Sequence, residues 1–146
     1  MHTCTKTYRD FPAAHRAPNH DGHCSLIHGH NWDFTFVFSA EEDDINGFVV
    51  DFGKLGKLKD RLTHLFDHTC LIARDDPKRD LFEDMNLQGL LDLRIVESTC
   101  AEALARLAFC EAQSVLDENP DFRKRGARVV RVDCHEDSKN IGSFSI

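Results

Sequence analysis

The sequence predicts an α+β fold of element order ββααββ, an antiparallel sheet with two helices on one face. Three observations in the 146-residue chain carry that prediction. Phe34, Phe36 and Phe38 alternate at period two, Leu55 to Phe66 repeats apolar residues at helical spacing, and a second helical repeat after Thr99 gives way to an alternating stretch from Arg128.

Thr3 to Phe11 and Asn31 to Ala40 both have strand character and read as adjacent antiparallel strands. Between them, Pro12 to Gly29 contains two prolines, two glycines and His15, His20, His23 and His28, which predicts a long loop of the kind that carries function in compact domains. After an acidic turn, Glu41 to Gly47, the run Phe48 to Phe52 reads as a short buried strand entering the first helix, whose apolar face is Leu55, Leu58, Leu62, Leu65 and Phe66. Asp67 to Ala73 leaves that helix. Arg74 to Arg94 reads as a polar, partly helical insertion centred on Leu81 to Leu91, with no functional assignment. Thr99-Cys100-Ala101-Glu102 fits a capping box opening the second helix, which continues through Leu104, Leu107, Ala108 and Val115 to about Glu118, before Pro120. Arg128 to Cys134 reads as a strand and Ser143 to Ile146 as a last one.

The size suits one domain, residues 1–146. An apolar fraction of 41% and a charged fraction of 29% are ordinary for a globular protein, and no apolar run approaches the roughly 20 residues of a membrane helix. Met1 to Phe11 lacks a continuous apolar segment, so a cytoplasmic protein is expected. The net charge of −7 argues against general nucleic-acid binding but leaves local Lys and Arg for a small anionic substrate. Six cysteines without paired C-x-x-C spacing read as reduced thiols.

The nine histidines concentrate before Trp32. His28 and His30 flank Gly29, and on an extended chain residues two apart point to the same side, within reach of one metal. His15, arriving from the preceding strand end, offers a third nitrogen, and three histidines with an open position suit a catalytic zinc. Exposed loop histidines without a metal are the bland alternative. Cys24 lies four residues before His28, where a thiol serves as base or nucleophile; as a fourth zinc ligand it would instead close a structural site. Asp67-His68 places a carboxylate beside an imidazole, as in an oriented acid–base pair or a plain polar helix end. Glu136 stands just past a strand end.

Together these residues resemble the 6-pyruvoyl-tetrahydropterin synthase and 6-carboxytetrahydropterin synthase family over nearly the whole chain. Phe11-Pro12-Ala13-Ala14-His15 is similar to its first metal-ligand segment, Cys24 through His30 to its Cys-x3-His-Gly-His segment, Gly47 through Phe52 to the entry of its first helix, and Phe66-Asp67-His68 to its Asp-His loop. The resemblance implies a tunnelling fold (T-fold), a homo-oligomer of two stacked trimers with active sites between subunits, and Zn²⁺ on His15, His28 and His30. It further implies Cys24, Asp67 and His68 as the catalytic set, Glu136 anchoring the amino-pyrimidine edge of a pterin, and a substrate contact from Thr99 or Cys100. His135 and Asp137 replace the aromatic residue and Thr that usually flank the anchoring Glu, and the 74–94 stretch is longer than in compact members. The implied substrate is 7,8-dihydroneopterin triphosphate. The short spacing from Cys24 to His28 points to the carboxy branch, which makes 6-carboxy-5,6,7,8-tetrahydropterin for queuosine and other deazapurines. The alternatives are the pyruvoyl synthase reaction and a non-catalytic zinc protein.

Overall fold

In a computed structural model describing residues 1–146, six strands, β1 (Thr3–His15), β2 (His28–Ser39), β3 (Thr69–Ala73), β4 (Leu93–Val96), β5 (Arg128–His135) and β6 (Ile141–Ser145), form one sheet in the order β4-β3-β1-β2-β5-β6. β1, β2, β5 and β6 are the antiparallel part read from the sequence. The loop between β1 and β2 is shorter than expected. β1 continues through Pro12 to His15 and β2 opens at His28, so the histidines lie on strand ends. Pro12 is accommodated just past an irregularity in β1, where a missing donor is tolerated.

α1 (Gly56–Phe66) buries Leu58, Leu62 and Phe66, and α3 (Ala101–Glu118) buries Leu104, Ala105, Ala108, Phe109, Ala112, Val115 and Leu116; both stripes repeat every three or four residues. They enter one core with Trp32, Phe34, Phe36 and Phe38 of β2. Asn119 then accepts the Asp121 and Phe122 amides and, with Pro120, starts the short helix α4 (Pro120–Lys124).

Two departures from expectation have local causes. β3 (Thr69–Ala73) and β4 (Leu93–Val96) were not anticipated as strands, and they join parallel to β1, making the sheet mixed. All five residues of β3 are buried because both faces are covered: Leu71 enters the main core, while Cys70 and Ile72 pack with Phe82 of α2 (Arg79–Leu87). The insertion is therefore a β3-α2-β4 crossover. Conversely, Phe48 to Phe52 forms no strand. Asp44 accepts the Asn46 and Phe48 amides and the Arg125 guanidinium takes the carbonyls of Glu42, Phe48 and Val49, so side chains satisfy this backbone in place of a ladder.

Candidate metal and thiol site

A β-bulge sets the direction in which His15 points. The β1–β2 register steps from Tyr8↔Phe34 to Phe11↔Trp32, one residue more on β1 than on β2. Asp10 takes a left-handed φ of 66°, its amide donates to Asp33 Oδ1 at 2.8 Å, and Arg9 Nη1 donates to Asp33 Oδ2 at 3.1 Å. Before the bulge Cys4 and Tyr8 face the core; after it Phe11, Ala13 and His15 do. Without the extra residue, the period-two alternation would turn His15 to the opposite face.

β2 continues the row of Phe38, Phe36, Phe34 and Trp32 into His30 and His28 on the same face, and His28 pairs directly with His15. The ring centroids are 4.6 Å apart for His15 and His28, 5.2 Å for His15 and His30, and 5.0 Å for His28 and His30. Trp32 underlies them, 4.9 Å from His15 and 5.3 Å from His30, with its indole N–H donating to the Ala13 carbonyl.

Hydrogen bonds orient two of these imidazoles. His15 Nδ1 lies 2.9 Å from the Thr99 carbonyl oxygen and His28 Nδ1 2.7 Å from that of Leu26. A carbonyl only accepts, so each Nδ1 carries a hydrogen, which makes Nε2 the lone-pair atom of the neutral ring. The Nε2 atoms of His15 and His30 are buried without a hydrogen-bond partner. Burial lowers the His15 pKa, the neighbouring His28 and His30 add to the effect, and the Thr99 bond and Glu136 oppose it. His15 is thus neutral at pH 7, the form that binds a metal. Glu136 brings Oε1 to 3.4 Å from His15 Nε2 and 3.3 Å from His30 Nε2, and one ligand atom from each of His15, His28, His30 and Glu136 lies within 4.8 Å of the others. The orphaned Nε2 of His15, fixed by the Thr99 carbonyl bond, together with the orphaned Nε2 of His30, the His28 ring and a carboxylate, fits a divalent metal ion.

A cavity of about 480 Å³ opens over this cluster, in the range of small-molecule sites. Cys24 lines it together with His15, His28 and Glu136, from a one-turn 3-10 helix, His23–Ser25. That turn is pinned by Ala17 N–H donating to the Cys24 carbonyl at 2.7 Å and Leu26 N–H donating to that of His23 at 3.0 Å. The fourth donor clustered with the imidazoles is Glu136, not Cys24. The far wall is the start of α3 against β6. Gly142 permits that contact, since a Cβ there would stand 2.5 Å from the Glu102 amide nitrogen and 2.6 Å from the Ala101 carbonyl carbon.

Thr99 does not cap α3, as the capping box implied. Cys100 is the N-cap residue, and the Thr99 hydroxyl donates to the Arg16 carbonyl at 2.7 Å. Both line the cavity, but Thr99 is buried and Cys100 exposed. Asp67 and His68 do not line it. They form an exposed pair, Asp67 Oδ1 3.0 Å from His68 Nδ1, with His68 at φ 58° and its amide donating to the Pro12 carbonyl. His20, Glu102, Lys139 and Asn140 also line the cavity; the sequence reading gave His20 and Glu102 no part in the site and did not name Lys139 or Asn140. Only the β6 pairing, which returns residues 139–142 beside Glu136, reveals the last two. All six cysteines are free thiols, and no helix is long and apolar enough to cross a membrane.

The family model described as 6-pyruvoyl tetrahydropterin synthase matches residues 3–145. The chain belongs to that family. The 6-carboxy-5,6,7,8-tetrahydropterin synthase of Bacillus subtilis is 30% identical over 107 residues, 64% of this chain and 71% of that protein. The protein of the same name from Rickettsia conorii is 34% identical over 77 residues, 52% of this chain and 55% of that protein, so the match spans about half the length of that relative. An uncharacterized protein from Wolinella succinogenes superposes with a TM-score of 0.81 at 18% identity, over 99% of this chain and 97% of the other. The 6-pyruvoyl tetrahydropterin synthase of Caenorhabditis elegans gives 0.64 at 24% identity, over 100% and 97%. These superpositions establish the α+β tunnelling fold.

Proposed function

We propose that this protein is a zinc-dependent lyase that converts 7,8-dihydroneopterin triphosphate and water to 6-carboxy-5,6,7,8-tetrahydropterin, acetaldehyde and triphosphate, a cytoplasmic step toward queuosine and related deazapurines. The observation that carries the reading is a free thiol, Cys24, sharing one cavity with His15 and His28 of the imidazole cluster on strand ends. Zinc, when bound by His15, His28 and His30, supplies Lewis acidity to a side-chain oxygen of the substrate. Cys24 takes the proton from the adjacent carbon. Glu136 turns from the imidazoles toward the cavity and accepts two parallel N–H bonds from the amino-pyrimidine edge, with Thr99 or Cys100 beside it. The names of the Bacillus and Rickettsia relatives and the three-residue gap between Cys24 and His28 favour the carboxy branch over the pyruvoyl reaction.

Asp67 and His68 act in this reading from a neighbouring subunit, His68 returning protons while Asp67 orients it. Their exposure outside the cavity of their own chain supports that arrangement, as do the exposed Leu26 and Ile27 next to the thiol turn, apolar surface suited to a subunit contact in a hexamer of two trimers. A non-catalytic zinc protein closed by Cys24 is disfavoured because the thiol lines the open cavity and does not join the imidazole cluster. Two variants test the assignment: Cys24→Ala keeps its zinc and loses turnover, whereas His28→Ala loses zinc. Loss of zinc from Cys24→Ala would overturn it.

A further inference from the structure

We infer that Asp76, in the insertion between β3 and α2, is a positioning residue for the Cys24 turn and acts through Arg16. The inference rests on the reading of Cys24 as the base. The Asp76 side chain is fully shielded from solvent and that of Arg16 is 16% exposed. Arg16 Nε donates to Asp76 Oδ2 at 2.8 Å and Nη2 to Oδ1 at 2.6 Å, a two-point grip that fixes the plane of the guanidinium. Asp76 is itself fixed, since Oδ1 also accepts the Lys78 amide at 2.8 Å. The remaining nitrogen, Nη1, donates to the Ser25 carbonyl at 3.2 Å, one residue beyond the thiol.

The other contacts of Arg16 make it a junction rather than an isolated pair. Its guanidinium lies 5.7 Å from the Phe82 ring of α2, its carbonyl receives the Thr99 hydroxyl, and the following residue, Ala17, donates its amide to the Cys24 carbonyl. The backbone leaving His15 thus ties the thiol turn to the insertion. Removing the Asp76 charge frees the guanidinium to rotate, and the Ser25 carbonyl loses its donor. A displacement of about 1 Å at a reacting group can cost on the order of 100-fold in rate.

The test compares Asp76→Asn, Asp76→Glu and Arg16→Lys in the zinc-loaded protein, below each variant's unfolding temperature. Two readouts are taken, turnover of dihydroneopterin triphosphate and the rate of Cys24 alkylation by iodoacetamide, followed by peptide mass. Asp76→Asn is expected to keep zinc, lower kcat by about 10-fold or more with KM within about 3-fold, and change the Cys24 alkylation rate at least about 3-fold. Asp76→Glu should recover part of both. Arg16→Lys keeps a cation opposite Asp76 but loses the fork, and should reproduce the Asn effect if Asp76→Asn does not fold. Wild-type kcat and alkylation in either folded variant would overturn the inference. If Cys24→Ala proves active, the proposed function fails separately, and alkylation alone still reports whether Asp76 holds the turn.

Discussion

Thr99 holds both His15 and the residue after it: its carbonyl oxygen lies 2.9 Å from His15 Nδ1, and its hydroxyl donates at 2.7 Å to the Arg16 carbonyl. The backbone between α3 and β4 therefore aims a metal-facing imidazole. Thr99→Val keeps the shape but leaves the Arg16 carbonyl without its donor. Expected are a loss of about 1–3 kcal/mol in urea unfolding and about 10-fold weaker zinc in a chelator competition.

Gly142→Ala tests the wall that β6 forms with α3. The added Cβ meets backbone atoms of Ala101 and Glu102 at 2.5–2.6 Å, and backbone yields only by moving an element. A loss of about 1–3 kcal/mol is expected, with KM for the pterin raised more than zinc affinity falls. Thermal melts and steady-state kinetics measure both.

How far the sequence revealed this site depended on whether the signal was local. The shared face of His28 and His30 was legible from their spacing across Gly29, although His28 was read in the loop and in fact opens β2. The direction of His15 was not, since it depends on a bulge at Arg9 and Asp10 that only the pairing with β2 exposes. Residues 70–73 went unread as a strand because a doubly covered strand shows an apolar run instead of alternation, and the run is short. Thr99 was misread because a capping motif cannot show that another backbone, here Arg16, takes the hydroxyl. Glu136 was read for a substrate contact from the resemblance, and only the fold shows its carboxylate beside the imidazoles at the cavity.

That placement makes Glu136→Gln decisive about the carboxylate's role. With zinc held by three imidazoles, the variant should retain the metal and raise KM at least about 10-fold, the loss of a charged, two-point hydrogen bond. Loss of zinc would instead make Glu136 a ligand.

Acid stability should report on Asp76. The hydrogen bond from Arg16 holds its carboxyl below the ordinary range, aided by the Lys78 amide and opposed by burial. A depressed folded pKa contributes stability that is present above the unfolded value of about 4 and lost as pH falls through the folded one. The urea midpoint of wild type should therefore drop below pH 4 by more than that of Asp76→Asn, and parallel curves would contradict this.

The central claim is the chemistry at Cys24 and the histidine cluster, and the product tests it most directly. Pure zinc-loaded protein is incubated with 7,8-dihydroneopterin triphosphate and Mg²⁺, volatile aldehyde is trapped, and the pterin is weighed by mass spectrometry. The proposed reaction yields 6-carboxy-5,6,7,8-tetrahydropterin with acetaldehyde in equal amount; a 6-pyruvoyl product without acetaldehyde, or unchanged substrate, would contradict it.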